Sequence, residues 1–537
     1  MKKFFKIFVC FCLVASTLCG IWACDDISTD NPSEETTTAA TTQNPDDPAQ
    51  RPGETTGSKP TSKPTSKPGS TTEEPRPDYS TRLPNKDWDG KELIVIGNIN
   101  NLYPQMSNFE IARDQEPDDV VGKAVWQRNN ALEAKYNFVV KQDTWVTTSA
   151  TAVQEAYNKG EDLYDVAFVG TSAGFARAQQ GMFRDMRETQ YIDLAHPSWD
   201  AYATGQLTIS GRTFLSASDL TIQNLDRAFI IYYNRGLART ENLGMLEDMV
   251  DNDTWTLDNC YDILKKFSDD RGGNGQKGDI DDSFGLALSS QEFSSMFIIG
   301  GGFRLTTNEG GNLKFVEADK DDTVKNIIDK VALFAYDRTI TLYPEQFGST
   351  DEIWSIPLNT FGQGRALMYS SSLSEMNYNF LDVVNFEFGY MPYPKYTSSQ
   401  ENYYTMTNVW NSTLVGIPAT VSEGNLDFVS FALQALTEAS TKTTYHAYYE
   451  TKCKFWDAYD QRCAEMLDLI FENVVYDVGI IYDLGRTKAD KKDGLYSAIS
   501  YNLPILGENT YMNIYARKAE NAKGQLQDII DDFADLD

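Results

Sequence analysis

Few side chains of this sequence suit the commonest catalytic and metal chemistries. Only two histidines occur, His196 and His446, so histidine-rich zinc sites are excluded and histidine acid–base catalysis has few candidates. Neither a P-loop nor an HExxH motif is present. Carboxylates are abundant, with 78 Asp and Glu residues, so the paired carboxylates that a glycoside hydrolase needs could arise here by chance. Their number does not identify an enzyme.

One glycine-rich loop offers oxygen atoms at a spacing that suits calcium. Residues 270–282 read DRGGNGQKGDIDD, and an EF-hand loop places ligands at positions 1, 3, 5, 7, 9 and 12, with glycine at position 6. The matching residues are Asp270, Asn274, Gln276 and Asp281. Glycines occupy positions 3 and 9, so two side-chain oxygens are missing. The sequence requires no cofactor, and this loop is either a structural calcium site or a polar surface turn.

The N-terminus is typical of an exported protein. Three lysines precede an uncharged stretch that extends to Ala23, which predicts a signal peptide over residues 1–23. The stretch is shorter than the about 20 residues that a membrane span needs. Residues 21–24 resemble a lipobox, and this resemblance implies that Cys24 becomes lipid-modified. A signal peptide that is cleaved without lipidation is the alternative.

A polar segment separates this terminus from the rest of the chain. Residues 24–85 are rich in Thr, Ser and Pro and carry few large apolar residues, so they cannot offset the entropy cost of ordering. We expect a disordered tether that acts as a spacer.

The chain as a whole is acidic. Its net charge of −31 disfavours binding to nucleic acid.

Strands and helices alternate after residue 88. Short apolar runs predict strands over residues 91–97, 136–142 and 164–170, and apolar residues at helical spacing predict helices over residues 119–135 and 152–159. This alternation indicates a parallel sheet covered by helices. Ligands of such sheets bind beyond the C-terminal ends of the strands, so the loops after Gly97 and Gly170 are the first candidate sites.

Several stretches carry a family resemblance. Residues 164–186 read YDVAFVGTSAGFARAQQGMFRDM and are similar to a strand–helix segment of the maltose-binding-like class of extracellular solute-binding proteins. The residues that match its Gly-x-hydrophobic-x-Asp-hydrophobic ending are Gly181, Phe183, Asp185 and Met186. Further similar stretches follow in the family's order, at 211–237, 254–268, 361–371 and 388–396. The resemblance covers nearly all of residues 88–537 and rests on order and spacing.

The resemblance implies an α/β, two-lobed, periplasmic-binding-protein-like (type II) fold with a ligand cleft between the lobes. The solute-binding domain would occupy residues 86–537. Its first lobe would comprise residues 86–220 and 395–460, its second lobe residues 227–390, and C-terminal helices over 461–537 would lie across both. The chain would pass between the lobes near 219–227 and 392–396.

The implied function is capture of a carbohydrate or oligosaccharide for an ABC importer, without catalysis. The expected partners are a small sugar, the ABC permease subunits and, through the lipid anchor, the extracellular face of the cytoplasmic membrane; nucleic acid is not expected, and the protein is expected to be a monomer. Two alternatives stay open: a secreted carbohydrate-active enzyme, and a sugar sensor or adhesin that works without an importer.

Polar and aromatic residues in the expected cleft loops are the candidate sugar ligands, because rings cover the C–H faces of sugars and amides, hydroxyls and carboxylates bind their hydroxyl groups. They are Asn98, Tyr103, Thr171, Ser172, Asp219, Asn224, Gln291, Ser371, Trp410 and Asn411. Each has a structural alternative: Trp410 could be core, Asn98 a turn former, and Thr171 or Ser172 a helix cap.

Overall fold

The computed structural model describes residues 78–536 except 99–106, 146–147, 321, 349–352, 378–379, 488–492 and 508. The predicted signal peptide, Cys24, most of the predicted tether and Tyr103 lie outside the described residues. None of the described helices combines the length and the apolar character that a membrane crossing requires.

Strands and helices alternate through much of the described chain. The strands are β1 (Lys91–Asn98), β2 (Phe138–Trp145), β3 (Val166–Gly170), β4 (Phe229–Asn234), β5 (Phe284–Leu288), β6 (Thr306–Glu309), β7 (Asn312–Phe315), β8 (Thr341–Leu342), β9 (Ala366–Ser372), β10 (Phe388–Met391), β11 (Thr405–Met406), β12 (Thr413–Gly416) and β13 (Val474–Val475). The 3₁₀-helices are Met186–Glu188, Lys265–Phe267, Gln291–Phe293, Pro344–Phe347, Ile353–Ser355 and Leu373–Asn377, and the π-helices are Ala447–Asp457 and Ala498–Asn502.

The α-helices are α1 (Val120–Tyr136), α2 (Ser149–Lys159), α3 (Thr171–Ala178), α4 (Ala201–Leu207), α5 (Ile222–Asp226), α6 (Arg235–Thr240), α7 (Glu247–Asp251), α8 (Leu257–Leu264), α9 (Ser294–Gly300), α10 (Thr323–Ala335), α11 (Ile356–Gly362), α12 (Phe380–Val383), α13 (Glu423–Thr441), α14 (Thr444–His446), α15 (Gln461–Glu472), α16 (Val478–Ile481), α17 (Leu495–Ser497), α18 (Leu503–Leu506) and α19 (Tyr511–Asp535).

Local sequence explains where the first elements begin and end. Asp119 caps α1 by accepting a hydrogen bond from the backbone N–H of Gly122 at 2.6 Å. The helix stops because Asn137 adopts a left-handed conformation with φ of 53°, which asparagine tolerates better than most residues. The predicted strand over 136–142 therefore starts two residues late, with β2 at Phe138.

The first sheet has the strand order β12-β3-β1-β2. The strand β1 runs parallel to β2 and to β3, whereas β12 returns antiparallel to β3. All residues of β3 are buried, as expected of a parallel strand covered on both faces. The predicted parallel core is confirmed, and an antiparallel edge strand completes it. We call this sheet and its helices the first lobe.

The second sheet has the order β10-β4-β9-β5-β8. The strand β5 is parallel to β8 and β9, and β4 is antiparallel to β9 and β10. We call this sheet and its helices the second lobe. Two chain segments connect the lobes side by side: Ala228 forms an antiparallel bridge with Thr407, and the N–H of Asn408 donates to the carbonyl of Arg227 at 3.1 Å.

The C-terminal region contacts both lobes. On α19, Phe533 packs against Phe175 and Phe214 of the first lobe, with ring centroids 6.4 and 5.5 Å away. On the same helix, Tyr515 stacks on Phe315 of β7 at 6.2 Å, and β7 lies between β5 and β8 of the second lobe in the chain. The helix therefore spans the two lobes.

The three described cysteines, Cys260, Cys453 and Cys463, are buried free thiols. Cys453 lies in a π-helix and Cys463 in α15, where its thiol donates to the carbonyl of Phe388 at 3.7 Å. Burial raises the pKa of the Cys463 thiol to about 11, which leaves it protonated and weakly reactive.

Candidate ligand-binding site

Trp410 lies where the chain re-enters the first lobe. The strand β12 begins three residues later at Thr413, which pairs with Gly170 at the C-terminal end of β3. The indole is half-buried, and its ring centroid lies 6.1 Å from that of Tyr496 and 6.4 Å from that of Tyr501. This placement, between core and surface, is what an aromatic ligand contact requires.

A π-helical turn brings the two tyrosines to the same indole. Tyr496 and Tyr501 are five residues apart, and the π-helix Ala498–Asn502 connects them. Residues at this spacing share one face of a π-helix, whereas an α-helix would turn them about 140° apart. The buried carboxylate of Asp483 anchors the turn by accepting hydrogen bonds from the N–H and the hydroxyl of Ser497, at 2.9 and 2.6 Å. Burial raises the pKa of Asp483.

The second lobe contributes a carboxylate to this group. Tyr501 donates its hydroxyl to Glu292 Oε2 at 2.5 Å, and the Tyr496 hydroxyl shares a hydrogen bond with Ser295 at 3.3 Å. Burial and the adjacent Glu292 charge raise the pKa of Tyr501, so its proton stays on the phenol and is donated to the carboxylate. Trp410, Tyr496, Tyr501, Glu292 and Asn411 are called the interlobe aromatic site below.

Asn411 follows Trp410 in the chain and carries a buried acceptor. Its Oδ1 has no hydrogen-bond partner among the described residues. A buried acceptor without a partner costs about 1–3 kcal/mol, and a ligand hydroxyl would supply the missing donor. Of the predicted ligands, Trp410 and Asn411 thus lie together. The side chain of Gln291 is outside the described residues; its neighbour Glu292 is within them.

Ser172 raises the question of a nucleophile. Residues 170–174 read GTSAG, a Gly-x-Ser-x-Gly pattern at the junction of β3 and α3, and esterases place their nucleophile in such a turn. The Ser172 hydroxyl instead donates to the carbonyl of Ile481 at 2.8 Å. In the described hydrogen bonds neither histidine contacts it, and His196 bonds Ser198 at 2.7 Å. Ser172 here attaches the C-terminal region to the first lobe.

Three other predicted ligands serve the interior of the lobes. Thr171 is buried and shares a hydrogen bond with Ser412 at 3.0 Å. Ser371 is buried and donates to Glu375 at 2.8 Å. Asn98 Oδ1 accepts hydrogen bonds from the N–H and the hydroxyl of the first residue of α2, each at 3.0 Å. The prediction that Thr171 or Ser172 caps α3 is wrong, because the N-cap residue of this helix is Gly170, which makes no side-chain hydrogen bond.

Asp219 and Asn224 occupy a different place, a cavity of about 310 Å³ beside the first connection between the lobes. We call it the hinge cavity. Its lining residues are Pro197, Trp199, Asp200, Ala217, Ser218, Asp219, Thr221, Asn224, Leu225, Tyr445, Tyr449, Asp468, Phe471 and Glu472. Both residues were predicted to lie at the crossover and to line the cleft. The sequence alone does not show that helical residues between 444 and 472 pack against this connection and form a separate cavity.

The glycine-rich loop is closed by its own backbone. The Asp270 carboxylate accepts hydrogen bonds from the N–H groups of Gly273, Asn274 and Gly275, at 2.6, 3.2 and 2.7 Å, and the Asn274 side chain donates to Asp279. In the described residues no group of three or more His, Cys, Asp or Glu side chains has the geometry of a metal site. The carboxylate of Asp270 would have to exchange these partners for an ion, so calcium binding by this loop stays a prediction.

Comparison with known proteins gives a fold-level match. No family model and no curated protein matches the sequence. The maltose-binding periplasmic protein MalE of Listeria monocytogenes, solved with maltose, matches with a TM-score of 0.52 and 12% identity, over 82% of this chain and 98% of that one. The chain has the fold of the maltose-binding-like proteins. The predicted α/β, two-lobed type II fold is therefore confirmed.

A second structure of this fold supports the same conclusion. The GacH receptor of Streptomyces glaucescens, solved without ligand and with acarbose, matches with a TM-score of 0.50 and 14% identity. The match covers 83% of this chain and 100% of the GacH chain. In the maltose-binding-like fold of this chain, the interlobe aromatic site lies where the two sheets and the C-terminal region meet.

Proposed function

We propose that this protein captures a carbohydrate or oligosaccharide at the interlobe aromatic site and delivers it to an ABC importer. The observation that carries the proposal is the half-buried Trp410 beside Tyr496 and Tyr501, with the Glu292 carboxylate of the second lobe bonded to Tyr501. Aromatic rings cover the C–H faces of sugars, and carboxylate and amide oxygens accept hydrogen bonds from sugar hydroxyls.

The residues of the interlobe aromatic site come from three parts of the fold, which supports capture of a ligand by closure of the lobes. Trp410 and Asn411 belong to the first lobe, Glu292 to the second, and the two tyrosines to the C-terminal region. A ligand that contacts all three stabilises the closed arrangement of a hinged protein. An importer can then distinguish loaded from empty protein by the relative position of the lobes.

The two structural neighbours agree with a carbohydrate ligand, since one was solved with maltose and the other with acarbose. The N-terminal sequence supports a place outside the cell: a signal peptide, lipidation at Cys24 and a polar tether would hold a monomeric binding domain at the extracellular face of the cytoplasmic membrane. There the domain would meet the permease subunits.

A thermal-shift screen tests the ligand class. A ligand that binds only the folded state raises Tm, so we expect carbohydrates to raise the Tm of the full chain and peptides of similar size to leave it unchanged. A rise with peptides alone would contradict the proposal. Glu292→Gln is expected to reduce the carbohydrate-induced rise, and Glu520→Gln, a 90% exposed side chain of α19, is the matched control.

The enzyme and sensor alternatives predict different results. Chromatography of an oligosaccharide incubated with the protein is expected to return it intact, and shorter products would show an enzyme. Deletion of the permease is expected to abolish uptake of the ligand that the protein binds, and uptake that continues without the permease would support a sensor or adhesin.

A further inference from the structure

The hinge cavity is built from two parts of the chain that are distant in sequence. One wall is the first connection between the lobes, from Ala217 to Leu225, and the opposite wall comes from the helical region with Tyr445, Tyr449 and Phe471. Its volume of about 310 Å³ falls at the lower end of small-molecule sites. None of its lining residues belongs to the interlobe aromatic site.

The charged residues that line the hinge cavity have one sign. Its described lining includes the carboxylates of Asp200, Asp219, Asp468 and Glu472 and no Lys or Arg. Asp468 already accepts hydrogen bonds from Tyr449 and from Lys454, an ion pair at 3.0 Å.

Asp219 is a carboxylate of the cavity wall that no basic residue pairs with among the described ion pairs. Its side chain is partly buried and accepts a hydrogen bond from the hydroxyl of Thr441 at 2.5 Å, and burial and the nearby Asp200 raise its pKa to about 7. A cation in the cavity would stabilise the charged form of this carboxyl.

The side-chain amide oxygen of Asn224, in the cavity wall, lacks a hydrogen-bond donor among the described residues. Asn224 is only 2% exposed and lines the cavity. Its Nδ2 donates to the Tyr476 hydroxyl at 2.5 Å, but its Oδ1 has no partner among the described residues. Buried polar atoms are nearly always paired, and because Asn224 lines the cavity, a ligand N–H or O–H that reaches this side chain would supply the missing donor.

Aromatic rings complete the lining. Tyr445, Tyr449, Phe471 and Trp199 lie around the same space, and ring faces attract ammonium groups, most strongly where water is excluded. Carboxylates, an unpartnered amide oxygen and aromatic rings together favour a ligand that is positively charged, donates hydrogen bonds and carries an apolar body.

We propose that the hinge cavity binds a small organic cation with a primary ammonium group, independently of the interlobe aromatic site. The ammonium N–H groups donate to Asp219 and to Asn224 Oδ1, and the aliphatic part packs against the rings. Because one wall is the connection between the lobes, the bound cation contacts the segment about which the lobes move.

Calorimetric titration of the full chain with putrescine at pH 8 tests the proposal. We expect saturable binding, with affinity at least tenfold lower in Asp219→Asn, which keeps the size of the side chain and removes its charge. Asn224→Leu removes the acceptor and is expected to weaken binding as well. The surface variant Glu520→Gln, at a side chain that is 90% exposed, is the matched control and should bind like the wild type. Succinate, a dianion of similar length, should not bind.

The pH profile separates this site from a general attraction to an acidic protein. Asp219 shares the cavity lining with Asp200, Tyr445, Asp468 and Glu472, and Lys454 pairs with Asp468. The Asp219 carboxyl becomes protonated below pH 7, so putrescine binding is expected to weaken between pH 8 and pH 6 while carbohydrate binding does not change. Absence of saturable binding at about 10 mM putrescine, or equal affinity in the wild type, Asp219→Asn and Asn224→Leu, would overturn the proposal. Melting curves establish that each variant is folded.

Discussion

The interlobe aromatic site and the hinge cavity have no residue in common and differ in chemistry. Around Trp410, aromatic rings adjoin one carboxylate that already accepts a phenol proton. Around Asp219, rings adjoin several carboxylates and the cavity lining has no basic residue. Under the two proposals above, the charge beside the rings, and not the rings themselves, distinguishes a site for a neutral sugar from a site for a cation.

Trp410→Ala is expected to have the largest effect. Loss of the indole removes the ring that a sugar would stack on, so we expect carbohydrate affinity to fall on the order of a hundredfold, or about 2.7 kcal/mol, as measured by calorimetry. Putrescine binding should not change. Phe455→Ala removes a ring that is 66% exposed and serves as the control. An unfolded Trp410→Ala variant would show that the indole is a core residue.

Tyr501→Phe should have a smaller effect on the same site. The ring remains, but Glu292 loses its donor, so the carboxylate is less well oriented toward a sugar hydroxyl. We expect carbohydrate affinity to fall about fivefold, close to 1 kcal/mol. Tyr202→Phe, at a side chain that is 49% exposed, should leave affinity unchanged, and an equal loss in both variants would contradict the assigned role.

Asp219→Asn should change how stability depends on pH. The pKa of Asp219 is raised to about 7 by burial, so between about pH 4 and pH 7 the folded state binds more protons than the unfolded state, and this carboxyl makes the protein less stable as pH rises. The amide has no charge to bury, so the variant should melt roughly 2 °C above the wild type at pH 8 and lose that advantage at pH 4. A constant difference across this range would refute the assignment.

The glycine-rich loop should show the smallest effect, because it lies apart from both sites. Asp270→Ala removes the acceptor of three backbone N–H groups, and we expect Tm to fall by about 1 °C equally with and without millimolar calcium. A calcium-induced rise in the Tm of the wild type that Asp270→Ala abolishes would establish the structural calcium site instead.

Local patterns in the sequence predict the framework of the first lobe. The strands at 91–97 and 164–170 were predicted nearly residue for residue, since short apolar runs ending in glycine are typical of buried parallel strands. The helix predicted over 152–159 begins earlier, at Ser149, because Thr148 caps it by accepting from the N–H of Thr151. A threonine four residues before the predicted start of this helix is a signal that the sequence does contain.

The candidate site is harder to predict because it depends on distant segments. Trp410 was among the predicted ligands, but Tyr496 and Tyr501 were not, since their common face depends on a π-helical turn and an ordinary helix would separate them. Asp219 and Asn224 were assigned to the cleft, and only the packing of α14 and α15 shows the separate cavity. Five-residue spacing of tyrosines before Asn502 was the one local signal available.

Calorimetric titration of the full chain with maltose and longer α-linked glucose oligosaccharides, run in parallel on the wild type, Trp410→Ala and Phe455→Ala, tests the central claim most directly. The account predicts saturable binding of one carbohydrate per chain with Kd on the order of micromolar, weakened on the order of a hundredfold in Trp410→Ala and unchanged in Phe455→Ala. Carbohydrate binding that is equally strong in all three proteins would contradict it.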